Sequence, residues 1–467
     1  MSVENLAWRR LFARPYGAYL ATFSLGSALS AFAAFLVSAC MPTAVEELGH
    51  VNLMSWSFTF YLIAAILAGI TASPLKWRLG TAAALQCAGG VFLLGSLACA
   101  FAPDMWVLLA GRVAQGFGEG AVAGLCYILI PEVFPALMIP AIFGIEATIW
   151  AAGSLAGPII GGFLTQALSW RAAFLIEVPP ILLFMGLVWA VIPEGGRRVE
   201  EQHPLPVARI AGVGAGILLL SVAAIEPGLW PRTLSVGCAV ALLVLMAAWD
   251  RTTRNRLLPR GAFSLTTRAG LAFWVVLLMP AAHTGPGIYL ILFLEQIWGF
   301  APLPAAILGA AMVAAWSGAG ILVSRVPAHH ARSCLGAGPL LLACGLMLGW
   351  VAMDLGSLWL LLFGQALIGI GYGLSWGFLS QTIMNGSAEA ERDRASAMLP
   401  TVLSAGLAIG AALGGIAANA AGLADAAPRE TVVRAGLWCF AVGSIVGLAG
   451  LAMALRLHRL TRVRGAT

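Results

Sequence analysis

Apolar residues recur along this chain in runs of about twenty or more, broken by short segments in which arginine, proline and glycine collect. A hydrocarbon layer about 30 Å thick takes roughly 20 helical residues to cross. The pattern therefore predicts spans near 18–44, 54–75, 79–101, 105–130, 138–166, 172–193, 207–226, 232–249, 269–297, 303–324, 335–353, 357–385, 395–422 and 433–456. Fourteen crossings make this an all-α polytopic membrane protein.

The breaks have a rhythm. The longest polar segments, 194–208 and 250–268, bracket two spans poor in polar groups, and six spans lie on either side of them. The expected organisation is a six-helix bundle over 1–193, two additional helices with their flanking loops over 194–268, and a second six-helix bundle over 269–467. A chain built of paired halves places its substrate pathway at their interface.

Composition agrees. Hydrophobic residues make up 60% and charged residues 10% of the 467, where a soluble domain carries about 25% charged. With the N-terminus placed inside, the inner segments hold 21 of the lysines and arginines and the outer loops four, leaving Arg112 within a span. That bias sets orientation and predicts both termini in the cytoplasm, as in a bacterial inner-membrane protein. The net charge of +6 is then topological, which removes the case for nucleic acid. The eight cysteines lie mostly in apolar runs without metal-type spacing. No cleavable signal is expected, since the charged start MSVENLAWRR leads into a full-length span.

Some spans are built to bend or to pack closely. Residues 144–162, GIEATIWAAGSLAGPIIGG, hold five glycines and a proline, although Gly costs roughly 1 kcal/mol and Pro roughly 3 kcal/mol in a helix interior. Gly153, Gly157 and Gly161 fall near one helical face, where a neighbouring backbone can come close, and Pro158 bends the helix there. Gly144 and Gly162 complete the pattern. Span nine carries MPAAHTGPGIYL, with Pro280 and Pro286 near mid-membrane, where broken backbone survives only beside protein or a watery cavity. Gln365, Tyr372, Trp376 and Gln381 in span twelve, with Tyr289 in span nine, suit a mixed polar and aromatic cavity wall. For the glycines alone, tight helix packing explains the pattern equally well.

The glycine and proline spacing of 144–162 resembles the antiporter motif in the fifth helix of the major facilitator superfamily, in its drug:proton antiporter branches. LSWRAAFLIEVPP at 168–180 is similar to the stretch that follows it in the fourteen-helix branch. LAGRVAQGFGEGAVAG at 109–124 resembles the fourth-helix motif with Arg112, Gln115 and Gly116, and WDRTTRNRLLPRGAF at 249–263 resembles the loop after the two extra helices. The likeness covers essentially the whole chain. It implies export of amphipathic or small organic compounds in exchange for protons, by two bundles rocking around a central cavity lined by helices one, four, nine and twelve. Three positions depart from the pattern. Trp77 stands where a gating aspartate is expected, Thr81 where a basic residue is usual, and Ala33 where helix one commonly carries an acid.

Which groups could then carry a proton? Glu119, Glu146, Glu177 and Glu295 fall within or near the ends of apolar spans, where an ionised group costs at least roughly 2.5 kcal/mol unless neutralised, paired or hydrated. Arg112, Gln115 and Glu119 share a face of helix four over about 10 Å. Glu177 on helix six reaches the depth of Arg112, and the two are expected to form an ion pair. Glu119 and Glu146 are the candidates for proton coupling, Arg112 and Gln115 for the cavity and substrate binding, with Arg112 and Glu119 sensing charge there, and the bent fifth helix is expected to seal or pivot against the opposite half. Protonation of Glu119 or Glu146 would release substrate outward. Glu295, near the outer end of its span, reads as an interfacial polar residue or gate element.

His283 combines an imidazole, whose ordinary range lies near neutrality, with a mid-span position beside Thr284. It is a proton or substrate candidate, or a histidine hydrogen-bonded between helices. His329 and His330 read as solvated loop residues, and no metal site is inferred. No phosphate-cradling loop follows a strand and no soluble nucleotide domain exists, so neither an enzyme nor an ATP-driven pump fits. The expected partners are a small molecule, protons and lipid, with the proton gradient in place of a cofactor and a monomer as the default. An exporter dedicated to one metabolite or siderophore, or a sensor or scaffold that has lost transport, remain as alternatives.

Overall fold

A computed structural model of the chain describes residues 11–13, 15–135, 138–193, 207–226, 228–253, 256, 258–323, 331–386 and 392–463. Fourteen helices among them are long and apolar enough to cross a membrane. They are α1 (Tyr16–Leu48), α2 (Met54–Leu79), α3 (Thr81–Ala100), α4 (Met105–Val133), α5 (Ile139–Ala167), α7 (Val207–Ile225), α8 (Leu229–Thr252), α9 (Arg268–Trp298), α11 (Ala331–Leu355), α12 (Leu358–Gly386), α13 (Arg392–Ala420) and α14 (Arg429–Val463), with α6 (Trp170–Val191) and α10 (Pro302–Val323) each made of two pieces. Every expected span is present. The helices run on past the apolar stretches, most of all α14, because backbone groups that pair within the helix need no lipid to hold them.

Local chemistry sets the ends. Asp104 caps α4 by accepting the Val107 amide at 2.9 Å, Ser169 caps α6 by accepting the Arg171 amide at 3.1 Å, and Thr267 caps α9 by accepting the Gly270 amide at 3.1 Å. Gly80, at φ 87°, turns the chain from α2 into α3. The break in α6 falls at Ile176 and Glu177, just before Pro179 and Pro180.

The chain gathers into two compact units, Met1–Gly49 with Phe60–Leu205, and His50–Thr59 with Pro206–Thr467. In the first, α1 packs on α5 and α4, and α3 on α4 and α6, around a core that includes Phe23, Phe92, Phe134 and Phe184. Gly116 and Gly120 of α4 lie against the Tyr61 and Ala65 backbone of α2, leaving no room for a Cβ. In the second, α9 is central, against α12, α13 and α14, and α11 packs on α12 and α14. The two additional helices α7 and α8 fall in this unit. They pair with each other through the buried Arg209–Asp250 ion pair, and α7 lies on α13.

Candidate functional site

The first unit contains a buried string of polar side chains carried by four helices, α2, α3, α4 and α6. Arg112, Gln115 and Glu177 are fully buried, and Glu119 nearly so. Arg112 donates to the Gln115 side-chain oxygen. The Gln115 amide nitrogen donates in turn to Glu177 Oε2 and to Ser96 Oγ, the latter at 3.1 Å, and Ser96 donates to the same Glu177 oxygen at 2.8 Å. The expected pairing of Arg112 with Glu177 is thus mediated by Gln115, which spans the two charges. Its amide has both an acceptor and donors, so one side chain serves both partners. On its other side the Arg112 guanidinium carbon lies 4.0 Å from the centroid of the Tyr61 ring, a cation–π arrangement. The Tyr61 hydroxyl donates to Glu119 Oε2 at 3.1 Å.

Glu146 stands on the glycine face of α5. Two turns separate it from Gly153, and Gly157 and Gly161 continue the row. The row faces α1: Gly153 lies against Ala31, Gly157 against Phe32, Phe35 and Leu36, and Gly161 against Leu36 and Ala39. The neighbouring backbone that this face admits is therefore helix one of its own bundle, because the small residues let those two backbones meet. Pro158 lies within this contact stretch, Gly162 follows its last glycine, and Gly144 lies in the same helix, two residues before Glu146. Below the seam, Ser24 of α1 donates to Glu146 Oε1 at 3.2 Å, and Glu146 is only 2% exposed. Ser27 stands near the Glu146 carboxyl, and Ser30 near the Glu119 carboxyl.

Of the positions that depart from the family pattern, Ala33 is completely buried and Trp77 is half-buried. Lys76, the residue before Trp77, pairs with Glu132 at the end of α4 and ties the α2 end to it. Glu295 is half-buried one turn before the end of α9. His329 and His330 lie outside the described residues.

In the second unit, His283 of α9, Tyr372 of α12 and Trp316 of α10 form an aromatic group, with His283 and Tyr372 ring centroids 5.0 Å apart and Trp316 and Tyr372 5.4 Å apart. A His283 ring nitrogen is 3.2 Å from the Pro280 carbonyl, which also accepts from Thr284 at 2.7 Å. Gln365 is buried and Trp376 half-buried on α12. Gln381 is exposed about 2.5 turns beyond Tyr372. Tyr289 is fully buried, its ring stacked on Phe293 instead.

Two features escaped the sequence reading. Trp316 carries no signal that separates it from an ordinary lipid-facing tryptophan. The other was legible: α13 reads GLAIGAALGG at 406–415 against GSLAGPIIGG at 153–162 in α5, the same glycine spacing without the proline. Gly406, Gly410 and Gly414 pack on Leu277, Ala281 and Gly285 of α9, so each unit has a close helix seam of one kind.

Comparisons with known proteins agree with this architecture. The family model described as Major Facilitator Superfamily matches residues 23–386. A protein named "Probable multidrug-efflux transporter" from Mycobacterium tuberculosis (strain ATCC 25618 / H37Rv) is 31% identical over 440 residues, covering 90% of this chain and 91% of the relative. "Multidrug efflux pump SdrM" from Staphylococcus aureus (strain N315) is 24% identical over 309 residues, 66% of this chain and 68% of that one. Among solved structures, a D-xylose-proton symporter superposes with a TM-score of 0.67 at 15% identity over 93% of this chain and 96% of the other. A bacterial homologue of the human lysosomal transporter Spinster gives a TM-score of 0.65 at 15% identity over 96% and 98%.

Proposed function

Because the chain belongs to the Major Facilitator Superfamily, and is an integral membrane transporter rather than an enzyme, we propose that it exports small organic, amphipathic compounds in exchange for protons by alternating access. The observation that carries the proposal is the placement of two carboxyls, Glu119 and Glu146, at 7% and 2% exposure inside the first unit, each held by hydroxyl groups. A carboxyl inside a membrane bundle marks an ion pathway, and hydroxyl partners serve it in either charge state because they both donate and accept. Arg112 supplies positive charge nearby through Tyr61 and Gln115. The names of the efflux relatives support the direction and the breadth of the cargo.

In this mechanism a proton taken up by Glu119 or Glu146 cancels a buried charge and so changes which arrangement of the first unit is favoured. Substrate and proton then bias the same equilibrium in opposite senses, which is the energetic content of exchange. In the aromatic group, Tyr372 is buried and backs His283 and Trp316, whose half-buried rings offer apolar surface to rings in the cargo. The proton gradient supplies the energy with no cofactor, in a bacterial inner membrane with both termini in the cytoplasm.

The test uses everted vesicles containing the full chain, loaded with a pH gradient and given ethidium. Ethidium movement that stops when nigericin collapses the pH gradient supports exchange, and movement that continues unchanged refutes it. Glu119→Gln is expected to abolish the gradient-dependent part.

A further inference from the structure

Helix α1 carries serines at 24, 27 and 30. Steps of three residues advance about 4.5 Å and turn each side chain by about 60°, so the three hydroxyls form a gently winding column about 9 Å long. The next step of that column is Ala33, the position where helix one of the resembled family commonly has an acid. The column is aimed at acids on two neighbouring helices instead. Ser24 donates to Glu146 of α5 at 3.2 Å, Ser27 stands near the same carboxyl, and Ser30 stands near Glu119 of α4. Small residues make this reach possible: a Cβ on Gly26 would come to 3.0 Å of Cys126 Sγ and 3.4 Å of Val122 Cγ1, both on α4.

Ser30 has a second acceptor. Its hydroxyl donates to the Gly26 carbonyl of its own helix at 3.2 Å, and a serine has one proton to give. When Glu119 is ionised, the proton of Ser30 satisfies the carboxylate. When Glu119 is protonated, it can donate to Ser30 Oγ while Ser30 turns its proton back to Gly26. Thr22, about two turns below Ser30, shows the back-bonded state alone, donating to the Ala18 carbonyl at 2.9 Å. Glu146 leaves Oε2 buried with no hydrogen bond to a described residue, so Ser27 has an acceptor to turn toward. The other charged and titratable groups facing the two acids are Arg112, Glu177 and Tyr61 around Glu119, and Cys126 and Tyr127 around Glu146.

We infer that Ser24, Ser27 and Ser30 are positioning residues that let Glu146 and Glu119 hold or release a proton inside the first unit, each hydroxyl donating to the ionised acid and rotating away from the protonated one. This rests on the proton-exchange reading above, and it is tested by a readout that does not depend on transport.

Purified full-length protein in lipid is titrated while the infrared C=O stretching bands of protonated carboxyls are recorded. Glu119→Gln and Glu146→Gln each remove one band and so assign it. Ser30→Ala is expected to shift the Glu119 band and the pH midpoint at which it appears, leaving the Glu146 band in place. The double variant Ser24→Ala/Ser27→Ala does the reverse, and Ser30→Thr restores the original Glu119 band. If Ser30→Ala does not fold, Ser30→Cys, with its weaker donor, gives the same reading. Folded variants with both bands unmoved overturn the inference. Bands that move as expected while wild-type ethidium efflux ignores the pH gradient support the column and overturn proton exchange, so the two failures are separable.

Discussion

Gly161 of α5 faces the backbone oxygen of Leu36 on α1, and a Cβ placed on it would stand 2.7 Å from that oxygen. A backbone atom cannot step aside as a side-chain end can. Gly161→Ala should therefore lower the thermal midpoint, by an overpacking cost of about 1–3 kcal/mol, and Gly161→Val should lower it further. Gly186 of α6 has nothing within 4 Å of such a Cβ. There Gly→Ala should be neutral, or stabilising by about 0.4–1 kcal/mol through the unfolded chain. Thermal unfolding of detergent-purified variants measures both, and equal midpoints would contradict the seam.

Gln115 holds Arg112 and Glu177 together, so Gln115→Leu takes one hydrogen-bond partner from each of two buried groups. The expected loss is about 1–3 kcal/mol for the polar groups left unsatisfied, larger than for Gln365→Leu on α12. A cycle of Arg112→Gln and Glu177→Gln should show a coupling on the order of 0.5–3 kcal/mol in thermal stability. Simple additivity would mean that the bridge carries no energy.

A third relationship lies in the second unit at the α1–α2 connection. The amides of His50 and Val51 donate to the two oxygens of Asp425, at 3.0 and 2.8 Å, and Asn419 donates to Asn52 and Ala224 carbonyls. His50 has φ 64°, a conformation an L residue holds only where its surroundings over-determine it. Asp425→Ala should raise hydrogen exchange at the His50 and Val51 amides while the α9 core keeps its protection. Unchanged exchange would show that the turn holds itself.

How far the sequence reveals this depends on what each residue must do. The fourteen spans are legible because the length of a crossing is dictated by the bilayer, and the α5 seam because small residues recur every four positions on one face. The partner of that seam is not legible: Ala31, Leu36 and Ala39 of α1 look like any apolar stretch, and only packing selects them. Glu119 and Glu146 stand out because a carboxyl in oil is expensive, whereas Ser24, Ser27 and Ser30 do not, since a serine in a helix satisfies itself on its own carbonyl. Gln115 could be placed on the face of Arg112 but not between two charges, because its second partner lies on α6, 62 residues away. The α13 copy of the glycine row was readable and follows from comparing the two halves.

The central claim is that protons bound in the first unit exchange against cargo, and the most direct measurement is proton movement driven by a cargo gradient alone. Proteoliposomes holding the full chain, with equal pH on both sides and a pH-sensitive dye inside, are given an ethidium gradient. The account predicts an internal pH change opposite in direction to ethidium flow, absent in Glu119→Gln vesicles that still bind ethidium. Ethidium flux with no accompanying pH change in the wild type would contradict it.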